Sequence, residues 1–222
     1  HKLARLSDAR LLAPCDVFQL SGLVASAAST DFPGFVFAQD AGRATGIRLN
    51  LTTPISRGDV LCVGGRIERL DGEWQIQVLQ PPAVVAGDAP RPLVMTQRSL
   101  AVDQNEDLLP DMGLDPAGLL VTIAGTITRI NTAEHVFYVD DGSALADGMG
   151  PSDAPYLGLR VSYRSLIPPA VRKRVLITGI VRVEKAVLQF DAFVNGEYRL
   201  AGETLYLPVV CPRTQQDIVA VQ

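Results

Sequence analysis

The strongest constraint on the fold of this chain is a pattern of residues that occurs twice. The first copy covers residues 34–49, and the second covers residues 136–143 and 158–161. Each copy has an apolar run rich in β-forming residues, then an acidic turn with glycine, and then glycine, an aliphatic residue, arginine and an aliphatic residue in succession. This order is typical of a β-hairpin. The sequence therefore predicts one β-module written twice.

The repeat continues on both sides of the hairpin. Residues 20–22 precede the first copy as residues 123–125 precede the second, and Val60–Gly64 follows the first as Val175–Gly179 follows the second. A chain of 222 residues fits one large domain or two of about 100 residues each, and the repeat selects two. The predicted organisation is a leader over residues 1–14, a first module over 15–80, a linker over 81–118, a second module over 119–210 and a strand-like tail over 211–222.

Each module is predicted to have five strands. They cover residues 16–27, 35–39, 46–51, 59–70 and 73–79 in the first module, and 119–130, 136–140, 157–163, 171–184 and 186–194 in the second. Gly22 and Gly125 lie within the first strand of each set, where a small barrel needs a sharp bend to close. Five strands with a bent first strand indicate the OB-fold, a small Greek-key barrel. The predicted fold class is therefore all-β, with two tandem five-stranded OB-fold barrels joined by a Pro-rich linker.

The segments outside the modules carry weaker patterns. Prolines interrupt the linker, although residues 96–102 have room for one helical turn. The leader places three leucines at a loosely helical spacing, so we expect it either to pack on the first module or to reach another subunit. The residues of the tail follow an alternating pattern from Asp217 onward, which is typical of a strand that pairs with the edge of a sheet.

The hairpin residues resemble a known family. Residues 37–48 and 137–143, with Arg160, are similar to the paired modules of the OB-fold, tRNA/helicase-type, found in secreted multidomain bacterial proteins. Phe37 and Tyr138 occupy the aromatic position of that family, and its acidic pair is matched at 140–141 but carries a glutamine at 39. The resemblance implies an OB-fold and a secreted setting. The nucleic-acid-binding label that travels with this fold does not by itself imply a site.

The charge balance argues against general affinity for nucleic acid. The chain has a formal net charge of −4, whereas phosphate binding relies mainly on clustered Lys and Arg. Hydrophobic residues make up 47% of the chain, which is typical of a globular protein, but no apolar run approaches the roughly 20 residues of a membrane span. The sequence starts at His1 without an initiator Met, which fits a mature secreted protein or a chain trimmed at its start.

No enzyme activity, cofactor or metal site is predicted. His1 and His135 belong to no Ser, His and acid grouping that recurs between the modules. Residues 140–143 read Asp-Asp-Gly-Ser but lack the alternating acidic ligands and the closing Glu of an EF-hand. We interpret them as an acidic turn whose carboxylates accept hydrogen bonds from backbone amides.

On an OB-fold, a single-stranded nucleic acid stacks on aromatic residues of the second and third strands, beside basic residues. The residues that fit this arrangement are Phe35, Phe37 and Arg48 in the first module and Tyr138, Arg160 and Tyr163 in the second. The acidic neighbours and an aromatic content of 6% count against stacking. Carbohydrate binding, core packing and a protein contact are the alternative uses of these side chains.

The three cysteines allow at most one internal disulfide. If the first strand pairs antiparallel with the fourth, Cys15 and Cys62 lie at opposite ends of that ladder. Cys211 is therefore the partner to test for either of them, or for a neighbouring chain. Their spacing matches no zinc motif.

The leading hypothesis from the sequence is a secreted or cell-surface, non-catalytic structural or adhesion protein. Low charge, a mean hydropathy of +0.19 and strand-like ends favour docking to copies of itself or to other surface proteins through strand addition, with a fibre as one outcome. Single-stranded nucleic-acid binding and oligosaccharide binding are the alternatives.

Overall fold

A computed structural model describes residues 2–100, 115–151, 154–194 and 197–221. The chain is all-β and divides into two compact units, one formed by residues 2–93 and 115–120 and the other by residues 94–100 and 121–221. Within the described ranges, no helix has the length and the apolar character that a membrane crossing requires.

The first sheet is built from the predicted strands and two additions. Its elements are β1 (Lys2–Leu3), helix α1 (Leu6–Ala9), β2 (Phe18–Ala25), β3 (Val36–Gln39), β4 (Gly46–Asn50), β5 (Val60–Leu70), β6 (Glu73–Val78) and β7 (Ala83–Val85). Strands β2, β3, β4, β6 and β5 pair in that order, and β5 also pairs with β2. These five strands therefore close into a barrel, as predicted.

Apolar residues at alternate strand positions fill this barrel, because successive side chains of a strand point to opposite faces. The core includes Phe18, Leu20, Leu23, Val36, Ala38, Ile47, Leu49, Leu61, Val63, Ile67 and Ile76. The predicted bend at Gly22 is confirmed: its φ is +83°, and the register of β2 against β5 shifts between Ser21 and Leu23. A bulge of this kind increases the local twist and lets a small sheet close.

The leader packs on the first unit. β1 pairs parallel with β2, and Leu6 and Ala9 of α1 are buried in the barrel core. Arg10 forms an ion pair with Asp115. Of the two expectations for this segment, packing on the first module is the one observed.

The second sheet also has flanking strands. Its elements are β8 (Leu93–Val94), helix α2 (Gln97–Leu100), β9 (Leu120–Asn131), β10 (Val136–Asp140), β11 (Leu159–Ser162), β12 (Arg174–Val187), β15 (Thr204–Cys211), a 3-10 turn (Gln215–Asp217) and β16 (Ile218–Val221), with β13 (Ala192–Val194) and β14 (Glu197–Arg199) forming a separate hairpin. The pairing order is β16, β12, β15, β11, β10, β9, β8, and β12 also pairs with β9.

The predicted fifth strand of the second module, residues 186–194, is wrong. β12 continues without a break to Val187, which pairs with Thr204, and β15 takes the position between β12 and β11. The misassignment has a physical reason. Pro208 lies inside β15, and proline ordinarily argues against a central strand because it lacks the amide donor.

The segments predicted as linker and tail supply strands to the sheets. β7 pairs antiparallel with β5, and β16 pairs antiparallel with β12. β8 joins the second sheet beside β9, and α2 falls where one helical turn was predicted. The tail strand therefore pairs within its own sheet. The remainder of the predicted linker, residues 101–114, lies outside the described residues.

The predicted alignment of Val60–Gly64 with Val175–Gly179 is wrong by one residue. Gly65 and Gly179 are buried, whereas Gly64 is half-buried. A Cβ on Gly65 would lie 2.5 Å from the Gln77 carbonyl oxygen, and one on Gly179 would lie 2.7 Å from that of Cys211. Gly65 is therefore the counterpart of Gly179, because both let the next strand approach closely.

Candidate functional site

The predicted residues of the first module do meet on one face. Phe37 of β3 and Arg48 of β4 are register partners. Their strand neighbours Val36, Ala38 and Ile47 point into the barrel core. Phe37 and Arg48 therefore lie on the outer face of the barrel.

This face is closed by aromatic packing. Phe32, from the loop before β3, packs edge-on against Phe37 with ring centroids 5.4 Å apart, and Phe35 packs against both rings at 5.6 and 5.7 Å. Phe37 is 0% exposed. The Arg48 guanidinium lies 3.9 Å from the centre of the half-buried Phe35 ring. The aromatic surfaces are therefore used within the unit, and Phe37 offers no face to a base.

The loop that carries Phe32 is tied down by hydrogen bonds. Asp31 accepts two bonds from Arg57, of 2.8 and 2.7 Å, in the bidentate arrangement that makes such ion pairs strong. Nearby, the backbone amide of Ser29 donates to the Ile55 carbonyl, and the Ile55 amide donates to the Ser29 hydroxyl. The loop that packs Phe32 onto Phe37 is therefore anchored by hydrogen bonds at Ser29 and at Asp31.

Beside Arg48, a row of polar side chains runs across β4 and β6. Arg48 Nε donates to Asn50, Asn50 Nδ2 donates to Gln75 at 2.8 Å and to Gln77 at 3.1 Å, and Arg48 forms an ion pair with Glu73 at 3.4 Å. This row was not identified from the sequence. Its signal is the alternation of polar residues at outward positions of both strands.

In the second module, two of the three predicted residues meet. Tyr138 of β10 and Arg160 of β11 are register partners. Tyr163 does not join them, because it stacks on Phe137, whose side chain points to the opposite face of β10 from that of Tyr138. His135 packs edge-on against Tyr163, with ring centroids 5.7 Å apart.

The outer face of β10 and β11 is covered by the insertion between these strands. The structure describes its residues 144–151 and 154–157, which we call the cover segment. Tyr156 packs edge-on against Tyr138 at 5.3 Å, and the Arg129 guanidinium lies 3.9 Å from the centre of the Tyr156 ring. Met149 enters an apolar cluster with Leu188, Ala192, Val194, Leu205 and Leu207.

Arg160 is buried on the face that this segment covers, whereas the glutamates that pair with it are partly exposed. Arg160 is 6% exposed and forms ion pairs with Glu134 at 3.3 Å and Glu184 at 3.9 Å. Burial, with the nearby negative charge of Asp147, raises the pKa of Tyr138, so this hydroxyl stays protonated. Burial raises the pKa of Asp147 to about 6, although the Met149 amide, the Arg160 charge and the Tyr138 hydroxyl oppose that rise.

The Tyr138 hydroxyl faces the Asp147 carboxylate. Arg160 Nε is buried without a hydrogen-bond partner in the described part of the chain. A buried polar group that makes no hydrogen bond costs about 1–3 kcal/mol. The sequence pointed to Tyr138 and Arg160, but it gave no sign that Asp147 would fold back onto them from an insertion.

The chemistry of these faces is that of packing and charge. Among the described residues, no three His, Cys, Asp or Glu side chains lie together in a way that would hold a metal ion. The side chains that meet, arginines on aromatic rings and carboxylates around Arg160, include no paired nucleophile and base.

The three cysteines form no disulfide, and they differ in exposure. Cys15 is exposed, and Cys211 is buried in β15. Cys62 lies in an open groove of about 620 Å³ and accepts a hydrogen bond from the Ser21 hydroxyl at 3.1 Å. A pairing of Cys211 with another chain would require β15 to leave its sheet.

We expect Cys15 to react with N-ethylmaleimide roughly tenfold or more faster than Cys211 in the folded protein, because a buried thiol reacts only through local opening. Mass spectrometry of the labelled peptides measures both rates. In denaturant the two rates should become equal. Labelling of Cys211 as fast as Cys15 in native buffer would contradict the placement of β15.

Comparison with known proteins adds no family to this picture. No known family model matches the chain, and no curated protein matches it in sequence.

Proposed function

We propose that the chain is a non-catalytic structural or adhesion protein of two tandem OB-folds, which acts outside the cell and docks to copies of itself through an exposed strand edge. The OB-fold assignment is supported by the closed five-stranded barrel of the first unit and by the matching pairing order in the second sheet. The extracellular setting is supported by the resemblance of residues 37–48 and 137–143 to modules of secreted proteins.

The observation that carries the docking role is the character of β16. It is the last strand in the pairing order of the second sheet, and its residues are Ile218, Val219, Ala220 and Val221. Val219 is 49% exposed and Val221 43% exposed, and Val219 is the register partner of Leu176, which is 42% exposed. The strand thus presents an aliphatic edge to solvent.

Soluble proteins ordinarily protect an edge strand with a charge, a proline or a bulge, because an open edge pairs with other chains. The other terminal strands here follow that rule. β1 carries Lys2, β8 follows Pro92, and β7 follows Pro81 and Pro82. β16 has no charge, proline or bulge within its four residues, and no proline directly precedes it as one precedes β7 and β8, so we take it as the edge best suited to pair with a second copy.

The aromatic residues argue against the alternatives. Stacking of bases or sugar rings requires an exposed aromatic face. Phe37 and Tyr138 are both 0% exposed, and the half-buried Phe35 is already covered by Arg48. Nucleic-acid or oligosaccharide binding at these faces would require the covering residues to leave.

Sedimentation velocity tests the docking role. We expect the apparent mass from sedimentation to rise above the monomer mass of 23.8 kDa as the protein concentration increases through the micromolar range. Val219→Lys should weaken this association by roughly tenfold or more, about 1.4 kcal/mol, because it places a charge in the edge. Val85→Lys is the matched control, since Val85 is 67% exposed on β7, the strand that flanks the long strand of the first sheet.

Each other outcome has a definite meaning. A monomer at all concentrations would rule out self-association. Equal weakening by both lysine variants would indicate a general effect of charge, and weakening by Val85→Lys alone would assign the contact to the first unit. Both results would overturn the assignment to β16.

A further inference from the structure

The loop between β11 and β12 leads into three consecutive cations, Arg172, Lys173 and Arg174, which we call the basic turn. All three residues are exposed. Within the described part of the chain, none of their side chains takes part in a hydrogen bond or an ion pair. Their positive charges are therefore available to a partner outside the chain.

No acidic residue nearby offsets these charges. Residues 154–183 contain six Lys or Arg and no Asp or Glu, although the whole chain has 24 acidic residues. The neighbouring strands β9 and β16 contain no acidic residue either. Asp217, which directly precedes β16, already forms an ion pair with Arg213 at 2.9 Å. The basic turn is thus a local region of positive charge on an acidic protein, which favours an anionic partner.

The first unit shows that this turn forms without a run of cations. The Gly58 amide donates to the Ala25 carbonyl at 2.8 Å. In the second unit the Arg172 amide makes the corresponding bond, of 2.7 Å, with the Ile127 carbonyl. Gly58 has a φ of +93° and Arg172 a φ of +70°, a region of conformation that favours glycine. The second unit therefore carries an arginine where the backbone favours glycine, which points to a use for its charge.

Exposed aliphatic side chains accompany the cations in the same loop. Ile167 is 74% exposed and Val171 is 45% exposed. The Gln215 side chain accepts a hydrogen bond of 2.9 Å from the Ile167 amide and donates one of 3.1 Å to the Ile167 carbonyl. The Lys173 amide donates to the Ala170 carbonyl at 3.2 Å. These bonds hold the loop in one arrangement, so it loses little conformational freedom when it binds.

We propose that this loop docks the protein onto an anionic phospholipid bilayer. The basic turn binds the lipid phosphate groups, and Ile167 and Val171 enter the boundary between head groups and acyl chains. The exposed aliphatic side chains favour lipid over a soluble polyanion, because a nucleic acid or an acidic polysaccharide offers them no apolar environment. A nucleic acid would also need exposed aromatic rings for stacking. The contact is peripheral and does not depend on the pairing of β16.

Co-sedimentation with lipid vesicles tests the docking. We expect the protein to bind vesicles of phosphatidylcholine with about one third phosphatidylglycerol, and not vesicles of phosphatidylcholine alone, with an affinity that falls as salt rises through about 0.1 M. Arg172→Gln, Lys173→Gln and Arg174→Gln together should weaken binding roughly a hundredfold, because each cation near an anionic surface contributes about fivefold. Ile167→Ser should weaken it roughly tenfold, because an aliphatic side chain no longer enters the bilayer.

A matched triple variant removes the same charge elsewhere. Arg66, Arg91 and Lys185 are exposed, and their joint replacement by glutamine should change the affinity by no more than about threefold, because they lie outside the basic turn. The pair Arg172→Lys and Arg174→Lys conserves the charge and should keep the binding. This pair separates the loss of charge from a loss of the turn itself.

The remaining outcomes are decisive. No binding to the anionic vesicles at low salt would overturn the proposal, and so would equal weakening by the two triple variants. If Ile167→Ser bound the vesicles as tightly as the parent, the site would belong to a soluble polyanion and the assignment to lipid would be wrong. Val219→Lys should not weaken vesicle binding, so a failure of self-association through β16 and a failure of lipid docking are told apart.

Discussion

Replacing Gly65 by alanine is expected to lower the free energy of unfolding of the first unit by about 1–3 kcal/mol. Gly65 is the residue at which β5 pairs with β2 on one side and with β6 on the other. A Cβ there would lie 2.5 Å from the Gln77 carbonyl oxygen and 2.6 Å from Ile76 Cγ2. Because one of these atoms belongs to the backbone of β6, the barrel has to widen at its closure to admit the methyl group.

Gly64 offers the matched control one residue away. A Cβ on Gly64 would have its nearest contact at 3.8 Å, the Phe18 carbonyl oxygen, and neither glycine has a positive φ. Gly64→Ala should therefore leave stability within about 0.5 kcal/mol of the parent, or raise it slightly by restricting the unfolded chain.

Urea unfolding followed by tryptophan fluorescence measures both variants. The one tryptophan, Trp74, lies on β6 and packs against the barrel core, so its emission follows the first unit. Equal midpoints for Gly65→Ala and the parent would show that β6 does not approach β5 as closely as described. Equal losses for both variants would assign the effect to glycine in general.

Gly65 also illustrates which parts of the fold can be predicted from the sequence. Alternation of apolar residues and the repeated hairpin predicted the five strands of the first barrel within a few residues, because side chains that alternate between a core and solvent leave a period of two. The sequence pattern aligns Gly64 with Gly179, one residue away from the true counterpart, Gly65. Two adjacent glycines fit the pattern equally well. Only the close approach of β6, which is distant in sequence, distinguishes them.

Other errors have the same origin. Residues 186–194 were assigned to a fifth strand because they follow the pattern of one, yet β12 continues through their first two residues to pair with a strand that contains Pro208. Sequence patterns describe a strand by itself. The partner that completes a sheet, and the flanking strands β7, β8 and β16, are decided by pairing across the chain.

The candidate faces were predicted in part. Alternation placed Phe37 with Arg48 and Tyr138 with Arg160 on common faces, and the structure brings both pairs together. Alternation gave no information on covering segments, since loop conformation carries no period. Solvent exposure of these aromatic rings depends on residues 30–34 in the first module and on the insertion after β10 in the second. The two covering segments are unrelated in sequence.

Phe37→Ala provides the sharpest separation between packing and ligand binding. We expect it to lower the free energy of unfolding of the first unit by about 3–5 kcal/mol, because it removes a fully buried ring and leaves a cavity. The two edge-on contacts with Phe32 and Phe35 are lost with it. A loss of this size is a large share of the stability of a small domain.

Leu70→Ala is the control in the same sheet, since Leu70 lies at the end of β5 and is 55% exposed. It should cost no more than about 0.5 kcal/mol. Both variants are measured by urea unfolding with Trp74 fluorescence. A stacking platform would have the opposite signature, because its aromatic ring stays exposed until a ligand arrives. If Phe37→Ala were as mild as Leu70→Ala, the packed cluster would be refuted and the face would be open to bases or sugars.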